Sequence, residues 1–253
     1  MIDLGREIGM TTKYDEEKRF WKDEISFYVR WYRGEIRSKE LYGVRCPNPS
    51  EKIRRFASEE LNAIETWINA DKWRYCKRLH VEPTYFNGKY VLEIGSGPLG
   101  LSRFFAGADV DLLDPLHEWY DHCGYIRCTG SIHSTIEDFC PLWSMDRNIY
   151  DAVISVNAID HVDDFVKAIE VCEQVCSLDG EIRMDIHYHA PTITEPHVLN
   201  DEIVKAAFKK FDMKKIAENP SHVFYPRGTH PESDRFAVWS NRDYVFDAVK
   251  ALR

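Results

Sequence analysis

The segment Tyr90-Val-Leu-Glu93-Ile-Gly95-Ser96-Gly97-Pro98-Leu-Gly100 carries the most chemistry in the chain. An apolar pentapeptide runs into three glycines spaced G-x-G-x-x-G. Glycine reaches positive φ and lets a ligand approach the backbone. The helix expected over 98–107 would offer free N–H groups at its start. Two cofactor classes use such a turn. A dinucleotide needs its pyrophosphate at the helix N-terminus and an acidic residue about twenty positions on. Asp114 stands near that distance, so spacing alone leaves both classes open. The neighbours of the glycines separate them. Glu93 suits an ammonium and repels a pyrophosphate, and Pro98 removes an N–H that a phosphate would use. The favoured ligand is therefore S-adenosyl-L-methionine.

Two later segments add titratable groups. Asn157-Ala158-Ile-Asp160-His161 follows the apolar run Ala152–Val156, and Asp185-Ile-His187-Tyr-His189 ends a second run. An imidazole titrates near neutrality and can take a proton from an acceptor. His161 is thus the expected base, oriented by Asp160 or Asp163, with His187 as a second catalytic candidate. Strand alternation puts Asp185, His187 and His189 on one side. That cluster suits substrate hydrogen bonds or a metal. Because Mg²⁺ prefers oxygen ligands, no metal is assigned and His189 is read as a substrate contact. His197, in a proline-bearing loop, and Arg227, a partner for an anionic group, are further substrate candidates.

These residues need a scaffold, and the hydrophobic pattern supplies one. Apolar and aromatic residues recur at three- and four-residue spacing over 14–42 and again from Ser50 onward, through Ile64 and Trp67. Both stretches read as amphipathic helices. After Asn87-Gly88 strands and helices alternate. Strands are expected at 90–94, 110–113, 125–128, 152–156, 181–187, 212–217 and 235–240. Helices are expected at 98–107, 115–123, 163–177 and 201–211. Such alternation implies an α/β fold. Its expected form is a Rossmann-like, doubly wound, mostly parallel seven-stranded sheet with an antiparallel C-terminal hairpin. The expected division is a helical N-terminal extension over 1–84, a candidate lid, and a catalytic domain over 85–253.

Composition narrows the classes. The 253 residues carry a formal net charge of −9, whereas a nucleic-acid binder usually shows a basic face. No apolar run approaches a bilayer span, and the first twenty residues lack the pattern of a secretory leader. Seven cysteines without a C-x-x-C pair fit reduced, buried thiols. The expectation is a cytoplasmic protein acting without nucleic acid or membrane. The N-terminal aromatic stripe also offers a surface for a homodimer.

VLEIGSGPLG, followed by VDLLDPL and Tyr150–Asp164, resembles the class I S-adenosylmethionine-dependent methyltransferases over about residues 88–190. Asp114-Pro-Leu with Asn157-Ala-Ile-Asp-His is similar to a bacterial subgroup that modifies small molecules and sugars. The resemblance implies that Asp114 holds the ribose hydroxyls, beside Pro115 and Leu116. It places Gly95, Ser96 and Gly97 under the cofactor, and Asn157 and Ala158 against its methionine part. Ser131 and Ile132 fall on the adenine side. There the family often has an acidic residue, and Ser131 departs from that, leaving a backbone oxygen or Glu137. The activity implied is O-methylation of a small-molecule or sugar hydroxyl. The alternatives are N-methylation of a small amine, a nicotinamide-dependent oxidoreductase, or a non-catalytic cofactor-binding module.

Overall fold

The computed structural model describes residues 12–36, 58–70, 72–125, 130–140, 149–220 and 235–247. The seven strands are β1 (Tyr90–Ile94), β2 (Asp109–Leu113), β3 (Ser131–Ile132), β4 (Tyr150–Val156), β5 (Cys176–Tyr188), β6 (Lys214–Pro220) and β7 (Arg235–Ser240). They form one sheet in the order β3-β2-β1-β4-β5-β7-β6. The first five are mutually parallel. β7 runs antiparallel to β5, and β6 antiparallel to β7. The expected mostly parallel sheet with a C-terminal hairpin is the observed one.

Alternation along the central strands feeds two cores. Leu92, Ile94 and Val153 face a layer that includes α5 (Phe165–Val175) and α6 (Asp201–Ala207). Val91, Ala152, Ile154 and Val156 face the opposite layer. That layer comes from α1 (Lys13–Arg33), α2 (Glu59–Ala70) and α3 (Arg74–Leu79). A parallel sheet needs both faces covered, and here the N-terminal helices cover one of them. Tyr28 stacks on Trp67 at 4.8 Å, and Trp31 meets the same indole edge-on at 5.5 Å. Thr12 and Asp15 form a capping box at the start of α1, and Gly34 (φ 84°) ends it.

Several boundaries differ from the sequence reading. The helix expected over 98–107 is only a short 3-10 turn, Leu101–Phe104. Gly95, Gly97 and Gly100 all have positive φ, which a right-handed helix cannot use. The third parallel strand is Ser131–Ile132; Tyr125 instead closes α4 (His117–His122) through its N–H to Tyr120 O. Residues 126–128 lie outside the described residues. β5 begins before the expected 181, with Asp179-Gly180 in a bulge inside it: Tyr150 pairs with Cys176, but Ala152 pairs with Glu181. The stretches 37–57 and 221–234, with Ser50 and Arg227, lie outside the described residues. Among the described residues no helix is long and apolar enough to cross a membrane.

Candidate active site

A cavity of about 700 Å³ opens where β1, β2 and β4 end. Parallel sheets bind ligands at this edge, beyond the carboxyl ends of the strands. Its floor is the turn after β1. The Gly95 N–H donates to Leu113 O at 2.7 Å, tying that turn to β2. A Cβ on Gly95 would stand 2.2 Å from Ala158 Cβ, and one on Gly97 2.8 Å from Trp21 Cζ2. The glycines are thus demanded by the segment after β4 and by α1.

Asp114, after β2, ties the same turn from the other side. Its Oδ2 accepts from Gly97 N at 2.9 Å and its Oδ1 from Leu116 N at 2.8 Å. A carboxylate oxygen accepts more than one hydrogen bond, so Asp114, which lines the cavity, retains accepting capacity. Burial pushes this carboxyl up to about 6, against the pull of the two backbone N–H groups. Asn157 lines the cavity at φ 53°, and its buried Oδ1 has no hydrogen-bond partner. Buried polar atoms are normally satisfied, so this oxygen is an acceptor left open among the described residues.

The cavity wall includes Gly95, Ser96, Gly97, Asp114, Pro115, Asn157, Ala158 and His161, all singled out from the sequence. Other candidates lie off it. Glu93 is fully buried and accepts a hydrogen bond from Ser102 Oγ. Alternation turns it, like Val91, toward the N-terminal helices. There burial raises its carboxyl to about 7, while Ser102 and Tyr75 pull the other way. Leu116 is buried and gives only its N–H to Asp114. Ser131 is exposed, and the Ile132 carbonyl takes the Asp114 N–H. β3 begins later than expected, and Ser134, Thr135, Ile136 and Glu137, not Ser131 or Ile132, line the cavity. His197 Nε2 lies 2.8 Å from Val162 O, anchoring its own loop.

The histidines converge, with partners the sequence did not reveal. His161 Nδ1 lies 3.4 Å from Glu17 Oε1 of α1, and Nε2 lies 3.1 Å from Glu195 Oε1. Burial opposes charge on this ring, yet Glu17, Glu195 and Asp160 overcome it and raise the imidazole to about 10. The surrounding carboxylates thus favour the charged form of His161. Burial also opposes charge on Glu195, but His161 and His187 hold it well below the usual carboxylate range. His187 and His189 stand behind Glu195, with ring centroids 4.5 Å apart. Asp185 does not join them. It forms a buried ion pair with Arg78 of α3. Glu17, Glu195 and Arg78 came from segments with no motif, and only tertiary packing brings them here.

No protein-family model matches the chain, and no curated protein matches it by sequence. Solved structures do. A chain from the complex of the Haloferax volcanii Trm112 methyltransferase activator with a protein described as a methyltransferase is 12% identical. It has a TM-score of 0.51, over 69% of this chain and 92% of that one. The 1,6-didemethyltoxoflavin-N1-methyltransferase of Burkholderia thailandensis, solved with 1,6-didemethyltoxoflavin and S-adenosylhomocysteine, is 13% identical. Its TM-score is 0.48, over 95% and 96%. An Anabaena variabilis protein described as a methyltransferase from an antibiotic biosynthesis pathway is 19% identical with a TM-score of 0.35. That match covers 49% of this chain and 44% of the other. At these identities the likeness is one of fold.

Proposed function

We propose that the chain is an S-adenosylmethionine-dependent methyltransferase that methylates a hydroxyl of a small molecule or sugar. One observation carries this reading. The Gly95–Gly97 turn, the Asp114 carboxylate and the unpartnered Asn157 Oδ1 face one cavity, with His161 on its wall. Asp114 has the lone pairs for a ribose diol, and Asn157 has a free acceptor for an ammonium. Its volume is that of a small-ligand site, and its wall mixes aromatic residues with many charged and polar ones. Bound S-adenosylmethionine supplies a sulfonium methyl group. The chain's part is to align the acceptor, exclude water and receive the proton. α1 contributes Tyr14, Glu17 and Trp21 to the wall, so it acts as the lid of the site.

His161 is the residue placed to receive the proton. With carboxylates at both ring nitrogens its charged form is favoured. An entering acceptor must therefore part it from Glu17 or Glu195 before it can act as a base. A second reading, N-methylation of an amine, is favoured by Glu16, Glu17, Glu24, Glu137 and Glu195 on the cavity wall. Carboxylates stabilise an ammonium, and an amine gives up its proton more easily than a hydroxyl. Calorimetric titration with S-adenosylhomocysteine and with NAD tests the cofactor. Only the first should bind, and Asp114→Ala should weaken it by at least about tenfold, the loss of a charge-assisted hydrogen bond. Binding of NAD alone would remove the methyltransferase reading.

A further inference from the structure

At the edge of the cavity, three segments deliver a set of donors of which only Glu195 lines the cavity. Asp160 comes from the 3-10 turn after β4, His187 and His189 from the end of β5 and just beyond, and Glu195 from the following loop. One donor atom from each lies within 4.8 Å of all the others. His189 Nε2 is 3.1 Å from Glu195 Oε2 and 3.8 Å from Asp160 Oδ2. His187 Nδ1 is 3.9 Å from Glu195 Oε1. Four ligands at about 2.1 Å around a tetrahedral ion stand about 3.4 Å apart, so the nearer pairs already match, and the widest, at up to 4.8 Å, must close by side-chain rotation.

Two features make this more than a polar cluster. Asp160 is fully buried, and neither of its carboxylate oxygens has a hydrogen-bond partner; the imidazoles of His161 and His189 are its cationic neighbours. A buried carboxylate without hydrogen bonds is costly unless cations compensate it, and a metal ion at its oxygens would do so directly. His189 Nδ1 lies 2.5 Å from Ala190 O. A carbonyl there takes the Nδ1 proton and leaves the Nε2 lone pair aimed at the cluster, as is usual for metal-bound histidines. The His187 ring is held by stacking on Phe236 at 4.4 Å.

We infer that Asp160, His187, His189 and Glu195 bind one divalent transition-metal ion of the Zn²⁺, Fe²⁺, Mn²⁺ or Co²⁺ kind. Mixed imidazole and carboxylate donors select such ions over Mg²⁺ and Ca²⁺. Glu195 is shared with the cavity wall, so the ion lies one side chain from the reaction space. Any part it plays in polarising an acceptor oxygen rests on the methyl-transfer reading; the site itself does not.

Co²⁺ added to the metal-stripped full-length protein tests the site, through its visible ligand-field absorption and by equilibrium dialysis. The expected result is about one ion per chain, competed by Zn²⁺. His189→Ala and Glu195→Gln, each shown folded by circular dichroism, should weaken Co²⁺ binding by at least about a hundredfold, beyond the usual cost of losing an outer-shell partner. Two results overturn the assignment: no Co²⁺ or Zn²⁺ retained by the folded wild type, or unchanged affinity in both variants. S-adenosylhomocysteine titrated into the same samples keeps the two readings apart. Metal without cofactor binding sinks the methyltransferase reading alone, and cofactor without metal binding sinks this one.

Discussion

Trp21 of α1 lies directly over Gly97, close enough that a Cβ on the glycine would come within 2.8 Å of the indole Cζ2. α1 and the glycine turn are therefore packed together, and the glycine is constrained by its backbone and by the indole. Its φ of 57° disfavours any L side chain, at about 1–2 kcal/mol, and the indole leaves no room for one.

Gly97→Ala should weaken S-adenosylhomocysteine binding by about tenfold or more, because the turn strains and α1 is displaced. Trp21→Ala removes the collision but not the backbone strain. Calorimetry on both single variants and the double variant measures the coupling. The double variant should bind better than the two single losses predict. Strict additivity would mean that α1 does not press on the turn.

Glu93 predicts a pH dependence of stability. Its carboxyl is raised from 4.5 to about 7 in the folded chain, chiefly by burial. Between those values the folded state holds more protons than the unfolded state. Stability from this group is therefore lost as pH rises from about 4.5 to about 7. Glu93→Gln removes the titration. Relative to wild type it should be neutral below about pH 4.5 and more stable above about pH 7, by at most about 3 kcal/mol. Urea denaturation of both proteins across this range reads the difference, which includes the small repulsion between Glu93 and Asp114. A constant difference across the range would show that Glu93 does not titrate there.

Local rules account for the parts of the site that the sequence revealed. Gly95, Gly97, Asp114 and Asn157 each stand directly after a strand, and strand ends follow from apolar runs and turn residues. Six of the seven strands and the antiparallel ending came from the same pattern. Glu93 was misplaced because its orientation depends on strand alternation, which turns it to the helix face rather than the cavity. Ser131 and Ile132 were misplaced because a two-residue strand has too little periodicity to fix its register. The partners of the histidines are separated from them by up to 144 residues, as for Glu17 and His161. No periodicity links such residues; only the packing of α1 and of the loop around 195 does.

The Arg78–Asp185 pair is the clearest stability test. Both side chains are almost wholly buried, at 2% and 0% exposure, and the guanidinium lies 4.2 Å from the Phe236 ring centroid. Arg78→Met leaves Asp185 as an uncompensated buried charge, at a cost of about 3–5 kcal/mol. Arg78→Met with Asp185→Leu removes both charges and should recover much of that loss. Chemical denaturation of the three proteins decides it. A double variant no more stable than Arg78→Met would show that packing, not charge pairing, holds α3 to β5.

His161 is the sharpest test of the chemistry, because its two carboxylate neighbours make it a group with two states. Held between Glu17 and Glu195 its charged form is favoured and closed to proton transfer; parted from one of them it can accept. His161→Ala should lower turnover of a hydroxyl acceptor by about 10²–10⁴-fold while changing S-adenosylhomocysteine affinity by less than about threefold. An amine acceptor, which sheds its proton more easily, should lose far less. Glu17→Gln removes one of the competing carboxylates from α1 without touching the turn. It should therefore lower the acceptor KM more than it alters cofactor binding. Steady-state kinetics with paired hydroxyl and amine acceptors separates these effects. Equal loss on both acceptors would make His161 a positioning residue, and unchanged turnover on both would remove it from the reaction.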